Sequence, residues 1–139
     1  MEDIPVVIGG GLAGLMTALR LAPRKVLVLA KAPLGEGAAS ALSQGGIAAA
    51  LDAGDTPALH AADTLAAADG LGDARVTERI TAGGPAAVAL LERLSVRFDR
   101  DVQDRLSLGL EAAHGRRRIA HVTGDGTGAA IMRAVVAAV

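Results

Sequence analysis

The sequence predicts an α/β fold, and three observations carry the prediction. An apolar run, Ile4 to Ile8, enters a glycine turn in which Gly9, Gly11 and Gly14 are spaced G-x-G-x-x-G. The segment after the turn, Leu15 to Ala22, reads as a helix. Lys25 to Ala30 then reads as a second buried strand. A strand, a glycine turn, a helix and a strand in this order form the βαβ unit of a dinucleotide-binding, Rossmann-like domain.

The glycines have separate physical jobs. Gly9 allows the tight turn out of the strand, Gly11 leaves room for a pyrophosphate at the backbone, and Gly14 lets the helix pack closely on the sheet. The helix N-terminus offers free N–H groups and a partial positive charge to the phosphates.

Composition narrows the possible ligands and partners. A chain of 139 residues suits one domain, and 51% apolar residues are enough for a real core. The formal net charge of −1 gives no reason to expect nucleic acid or an anionic membrane as partner. Without cysteine, neither a disulfide framework nor a thiolate metal site can form. The start, Met1, Glu2 and Asp3, is acidic where a secretory signal is basic. No stretch approaches the ~20 apolar residues that span a bilayer. The expectation is a soluble, cytoplasmic protein. Phe98 is the only aromatic residue among Phe, Trp and Tyr, so no ligand is held by aromatic stacking from this chain. That also argues against single-stranded nucleic acid.

After the second strand the usual pattern breaks. An Asp or Glu about twenty residues beyond the turn normally bonds a ribose hydroxyl. Here the strand ends Leu29, Ala30, Lys31. Two readings stay open on the residues alone: Lys31 contacts an adenine dinucleotide in a family without the acid, or it neutralises the 2′-phosphate of NADP. Residues 33–46 form a long loop of small residues, too glycine-rich for a helix and too polar for a buried strand. Loops of this length are functional or disordered, and this one can lie along a second part of the same ligand.

Ile47 to Leu51 reads as a short strand. Asp55, Thr56 and Pro57 start a helix that runs through Leu65 towards Gly70, and His60 within it reads as a surface or packing residue. Asp73 opens another helix, which Gly83 and Gly84 are expected to stop; Pro85 starts a third, with Val88, Leu91 and Leu94 on one face. Val96 to Asp104 alternates charge and reads as a solvated strand or loop. Leu108 to Val122 gathers Glu111, His114, Arg116, Arg117, Arg118 and His121, read as loop. Without helical i,i+4 spacing this is a poor zinc pattern, and no metal is expected. A carboxylate among cations and histidines suits a small substrate carrying both carboxylate and ammonium groups. A last helix, Ala129 to Val139, is expected to be capped by Asp125 or Thr127.

Several stretches in one order resemble the L-aspartate oxidase family, within the larger group of succinate dehydrogenase and fumarate reductase flavoproteins. They are the glycine turn, Leu29 to Lys31, Gln44-Gly45-Gly46 with Ile47 to Ala49, and Glu111 with His114, Arg117, Arg118, Ile119 and His121. The resemblance implies FAD rather than NADP. By carry-over, Gly10, Gly11, Leu12 and Ala13, flanked by Gly9 and Gly14, cradle the pyrophosphate, and Lys31 lies near the adenosine part. The loop Ala39, Ser40, Ala41, Leu42, Ser43, Gln44, Gly45 and Gly46 wraps the ribityl–flavin region. Glu111 orients the substrate amino group, and His121 matches a motif histidine at the same site. Membrane-bound relatives carry a flavin-linking histidine just upstream of Gln-Gly-Gly; residues 38–43 hold none, which implies non-covalent FAD.

The implied fold is the N-terminal portion of a discontinuous FAD-binding domain, residues 1–139, with several helices inserted after the second strand. A capping or substrate domain and a C-terminal helical domain are expected outside this chain, together with the catalytic residues. The implied activity is FAD-dependent oxidation of L-aspartate to iminoaspartate, with oxygen or fumarate as acceptor, feeding NAD biosynthesis. The alternatives are an incomplete cofactor module without activity of its own, and a flavoprotein of the fumarate reductase or succinate dehydrogenase type.

Overall fold

The computed structural model describes residues 3–139; Met1 and Glu2 of the acidic start lie outside the described residues. Strand β1 (Val6–Ile8) pairs in parallel with β2 (Leu27–Leu29), with Val7 opposite Val28, and helix α1 (Leu12–Leu21) crosses between them. The expected βαβ unit is present. Its helix begins three residues earlier than the sequence pattern suggests. Gly11 is its extended N-cap residue and no side chain caps its own helix end, but the Leu12 amide donates to Ser40 Oγ at 3.2 Å.

The two strands alternate as a pleated sheet must. Val7 and Val28 turn inward, while Val6, Ile8, Leu27 and Leu29 stand exposed on the opposite face. A parallel sheet normally has both faces covered. Here one face of the β1–β2 pair is bare.

Residues 33–46 are not an extended linker. They fold through turns into one 3-10 turn, Ala39–Leu42, which packs on the last helix, α4 (Thr127–Ala138). Strand β3 (Ile47–Ala48) follows, shorter than expected. It pairs antiparallel with β5 (Ile119–Ala120), whose other edge takes β4 (Leu108–Gly109). The stretch 108–122, read from sequence as loop, therefore supplies two strands of a small three-stranded sheet. The runs are too short to show a period in sequence, and only their pairing across long separations makes them strands.

Helix α2 (Pro57–Ala67) starts as expected, with the Thr56 hydroxyl accepting the Leu59 amide at 3.2 Å. Helix α3 (Ala74–Arg93) overturns an expectation: it runs unbroken through Gly83, Gly84 and Pro85. A glycine stops a helix by turning left-handed, and neither Gly83 nor Gly84 has a positive φ. Gly84 instead permits close approach, since an added Cβ would lie 3.2 Å from Ala49 Cβ. Pro85 costs the helix one hydrogen bond, and the packing of Val88 and Leu91 in the core outweighs it. The core joins Leu15 of α1 to Val88 and Leu91 of α3 and to Ile131, Met132 and Val135 of α4. Val96 and Phe98 close it, so the charged stretch 96–104 is solvated on one side only. At the start of α4 neither Asp125 nor Thr127 is the cap. Gly126 holds the N-cap position, and the Thr127 hydroxyl accepts the Val122 amide at 3.0 Å instead.

Candidate functional site

The glycine turn lies at the C-terminal end of β1, where α/β sheets place their ligands. Gly9 has φ +116°, a conformation that side chains avoid. A Cβ at Gly14 would overlap the Gly9 carbonyl oxygen, so the helix start is pressed against the strand end. The first-turn amides of α1 have no intrahelical partners, and Gly11 contributes no side chain to block them. A cleft of about 400 Å³ opens over this surface, lined by Gly9, Gly10, Gly11, Lys31, Glu36 and Ala39 among others. Lys31 is exposed at its rim.

A second cleft is lined by residues that neighbour those of the first in sequence. Leu12 and Ser40, each one residue further along the chain than Gly11 and Ala39, line it with Ser43, Gly45, Gly46 and Gly128. The 39–46 loop is pinned there by Gly128, whose amide donates to the Ser43 carbonyl at 3.0 Å. A Cβ at Gly128 would run into the carbonyl oxygens of both Ser40 and Ser43. Gly128 was not singled out in the sequence. The only local signal is its place in Asp125-Gly126-Thr127-Gly128.

A third cleft, about 490 Å³, shares Gly45 with the second and holds Gln44, Asp99, Glu111, Arg117, His121 and Asp125. His121 Nε2 approaches Glu111 Oε1 to 3.8 Å. Glycine at 109 makes space for the ring, since a Cβ there would lie 2.8 Å from His121 Nε2. Of the residues singled out from sequence, Ala13, Gly14, Ala41 and Leu42 line none of the three clefts. Leu42 is 81% exposed.

The pairing that sequence reasoning missed joins Arg118 and His114 of the 108–122 stretch to Asp55 and Asp63. Arg118 is fully buried, and its Nε and Nη2 donate to Asp55 Oδ2 and Oδ1, each at 2.8 Å. Its Nη1 donates to Asp63 Oδ2 at 2.7 Å and lies 3.2 Å from His114 Nδ1. A guanidinium has no acceptor, so His114 Nδ1 carries the lone pair in this contact. Arg118 holds the Asp55 carboxyl below its ordinary value, and the same hydrogen bonds raise Arg118. Asp63 is lowered first by the Gly115 amide and then by Arg118. His60 packs edge-on against His114 with ring centroids 5.4 Å apart, and burial pushes its pKa down. His60 is thus a packing residue, with Nδ1 buried and without a partner.

On β5 successive side chains alternate in direction. With Arg118 anchored towards α2, Arg117 and His121 reach the third cleft. The second and third clefts meet at Gly45; the first is lined by both Lys31 and Glu36, the second by small residues, and the third is mixed in charge at Glu111 and Arg117. An elongated polyanionic ligand suits the first. A small zwitterion suits the last.

The chain matches the family model described as FAD binding domain over residues 5–139. It is similar to the L-aspartate oxidase of Mesorhizobium japonicum, 54% identical over 132 residues, covering 95% of this chain and 26% of that protein. It is similar also to the L-aspartate oxidase of Agrobacterium fabrum, 53% identical over 138 residues, with 99% and 26% covered. The chain thus spans about a quarter of the length of these curated relatives. Among solved structures, the Mycobacterium smegmatis Sdh1 complex in the apo form matches with TM-score 0.87 and 33% identity, over 95% of this chain and 23% of that one. An E. coli quinol fumarate reductase shares the fold, with TM-score 0.89 and 20% identity over 99% of this chain and 24% of that one.

Proposed function

Because the chain belongs to the FAD binding domain family, we propose that it is the FAD-binding part of an enzyme that oxidises L-aspartate to iminoaspartate. The cradle fits the cofactor. Gly14 admits no Cβ against the Gly9 carbonyl, Gly11 bares the helix start, and the cleft above them is lined by backbone and small residues. In this reading Gly9 to Gly14 hold the pyrophosphate on first-turn amides, Lys31 lies by the adenosine part, and the 39–46 loop follows the flavin end. Residues 38–43 include no histidine, which supports a non-covalent flavin. Denaturing the protein in acid is expected to release all of it to the supernatant.

FAD, held by these residues, would supply the hydride-accepting chemistry, with oxygen or fumarate as the final acceptor. The chain's own part is orientation. Glu111 accepts a hydrogen bond from the substrate ammonium group, and His121, 3.8 Å away, lies beside it in the same cleft. Arg117 offers a cation to a substrate carboxylate. The observation that carries the reading is the Glu111–His121 pair in a cleft that shares Gly45 with the one lined by Leu12, Ser40 and Ser43. The similarity to L-aspartate oxidases points the same way. The test is anaerobic addition of L-aspartate to the full-length, FAD-loaded protein, followed by flavin absorbance. Bleaching is expected. A flavin that stays oxidised with aspartate but is reduced by succinate would move the protein to the fumarate reductase branch.

The bare face of Val6, Ile8, Leu27 and Leu29, with the quarter-length match, supports residues 1–139 as one portion of a discontinuous FAD domain. Capping and helical domains are then supplied by further sequence. This chain alone is expected to be inactive, and peroxide formed from aspartate by residues 1–139 would overturn that. A cytoplasmic location belongs to the same proposal; no helix among the described residues is long and apolar enough to cross a membrane.

A further inference from the structure

Asp63 belongs to α2 and lines none of the three clefts. Yet its Oδ2 accepts two hydrogen bonds from one distant segment, the Gly115 amide at 2.6 Å and Arg118 Nη1 at 2.7 Å. Both bonds grip the chain at or just beyond one end of a short turn whose other end is Glu111. The His114 amide donates to the Glu111 carbonyl at 3.2 Å, and His114 Nδ1 accepts from the same Arg118 Nη1. Two routes therefore lead from Asp63 towards Glu111, one through the Gly115 amide and one through Arg118 and the His114 ring, and both end in the His114 amide–Glu111 carbonyl bond. The Glu111 side chain is half-exposed, and its one ion-pair contact among the described residues is His121 at 3.8 Å. Nothing in its own surroundings fixes it firmly.

Gly115 is exposed, so water would satisfy its amide without Asp63. Asp55 takes Arg118 Nε and Nη2, which leaves the buried Nη1 to Asp63 and His114. The Arg118 bond therefore covers a buried donor, whereas the Gly115 bond is not needed for that and orders a surface turn at an entropic cost. The Gly115 bond is the one that suits placement. Resting on the aspartate reading above, we infer that Asp63 is a positioning residue, which holds the 111–115 turn so that Glu111 meets the substrate's ammonium group.

The test uses the full-length, FAD-loaded protein and compares aspartate with succinate, a dicarboxylate without the ammonium group. Asp63→Asn is expected to raise the KM for L-aspartate roughly tenfold while the inhibition constant for succinate stays within about twofold. Hydrogen exchange at the Gly115 amide should accelerate in the same variant. Equal weakening towards both ligands would make Asp63 merely structural, and no change in either would remove the role altogether. If Asp63→Asn fails to fold or to hold flavin, His114→Ala cuts the second path and leaves the Arg118–Asp55 pair intact. It should show the same split at smaller size, and its absence would overturn the inference. A wild-type protein inert to aspartate would instead defeat the substrate reading, and that control separates the two failures.

Discussion

Arg118 and Asp55 meet through two parallel hydrogen bonds of 2.8 Å, and neither side chain reaches solvent. The planar fork of the guanidinium matches the carboxylate, a geometry that lysine cannot reproduce. Removing Asp55 leaves Nε and Nη2 of the buried guanidinium without acceptors, with Asp63 as its remaining ion partner. Asp55→Ala is expected to cost about 3–5 kcal/mol of stability, read from urea unfolding. A loss under about 1 kcal/mol would mean that water reaches the pair, as it does at surface salt bridges.

The unbroken α3 gives opposite expectations for adjacent glycines. Gly83 has open space around its α-carbon and a right-handed backbone. Gly83→Ala should therefore stabilise the protein by about 0.5–1 kcal/mol. Gly84→Ala should forfeit that gain against Ala49 Cβ, 3.2 Å away. Thermal melts of the two variants decide it. A destabilised Gly83→Ala would restore Gly83 as a helix stop.

Acid should destabilise the protein in two steps. Burial lowers His60 in the folded state, so only the unfolded chain takes up its proton as pH falls below 6.5, and stability begins to drop there. Asp55 and Asp63 are lowered by hydrogen bonds. Their contribution is complete above the ordinary carboxylate value of 3.8 and is lost as pH falls further, through their folded values. His60→Leu should abolish the first step and keep the second in a series of melting temperatures against pH. A first step that survives the substitution belongs to another group.

Gly14 and Gly128 should both matter for flavin retention, for different reasons. Gly14→Ala forces the helix start off the strand and opens the phosphate cradle. Gly128→Ala displaces the Ser40 and Ser43 carbonyls, and with them the loop lining the second cleft. A clash of this kind costs about 1–3 kcal/mol, or roughly ten- to a hundredfold in affinity. Titrating apoprotein with FAD measures it. Wild-type affinity in Gly128→Ala would show that the loop takes no part.

What could be read in the sequence was local. Gly9 to Gly14 and the Thr56–Pro57 helix start each carry their physical reason within a few residues, and the structure realises both. Arg116, Arg117 and Arg118 look alike as a basic run, yet Arg118 is buried while its neighbours are exposed. Its partners, Asp55 and Asp63, lie 63 and 55 residues away, where no short-range pattern can indicate them. Gly83, Gly84 and Pro85 misled for the converse reason. Their local meaning is a break, and packing of α3 on Ala49 and the core overrides it. The short strands β4 and β5 exist only through each other and β3.

The same long separations set an order of events as the chain folds. Closing a loop of 63 residues is slow compared with forming the α2–α3 hairpin inside it. Until that loop closes, Arg118 remains hydrated and the β3–β5 pairing beside it is unsupported. The α2–α3 hairpin is therefore expected to form early, and the cleft holding Glu111 and His121 late. Substitutions at Arg118 should slow folding less than they speed unfolding.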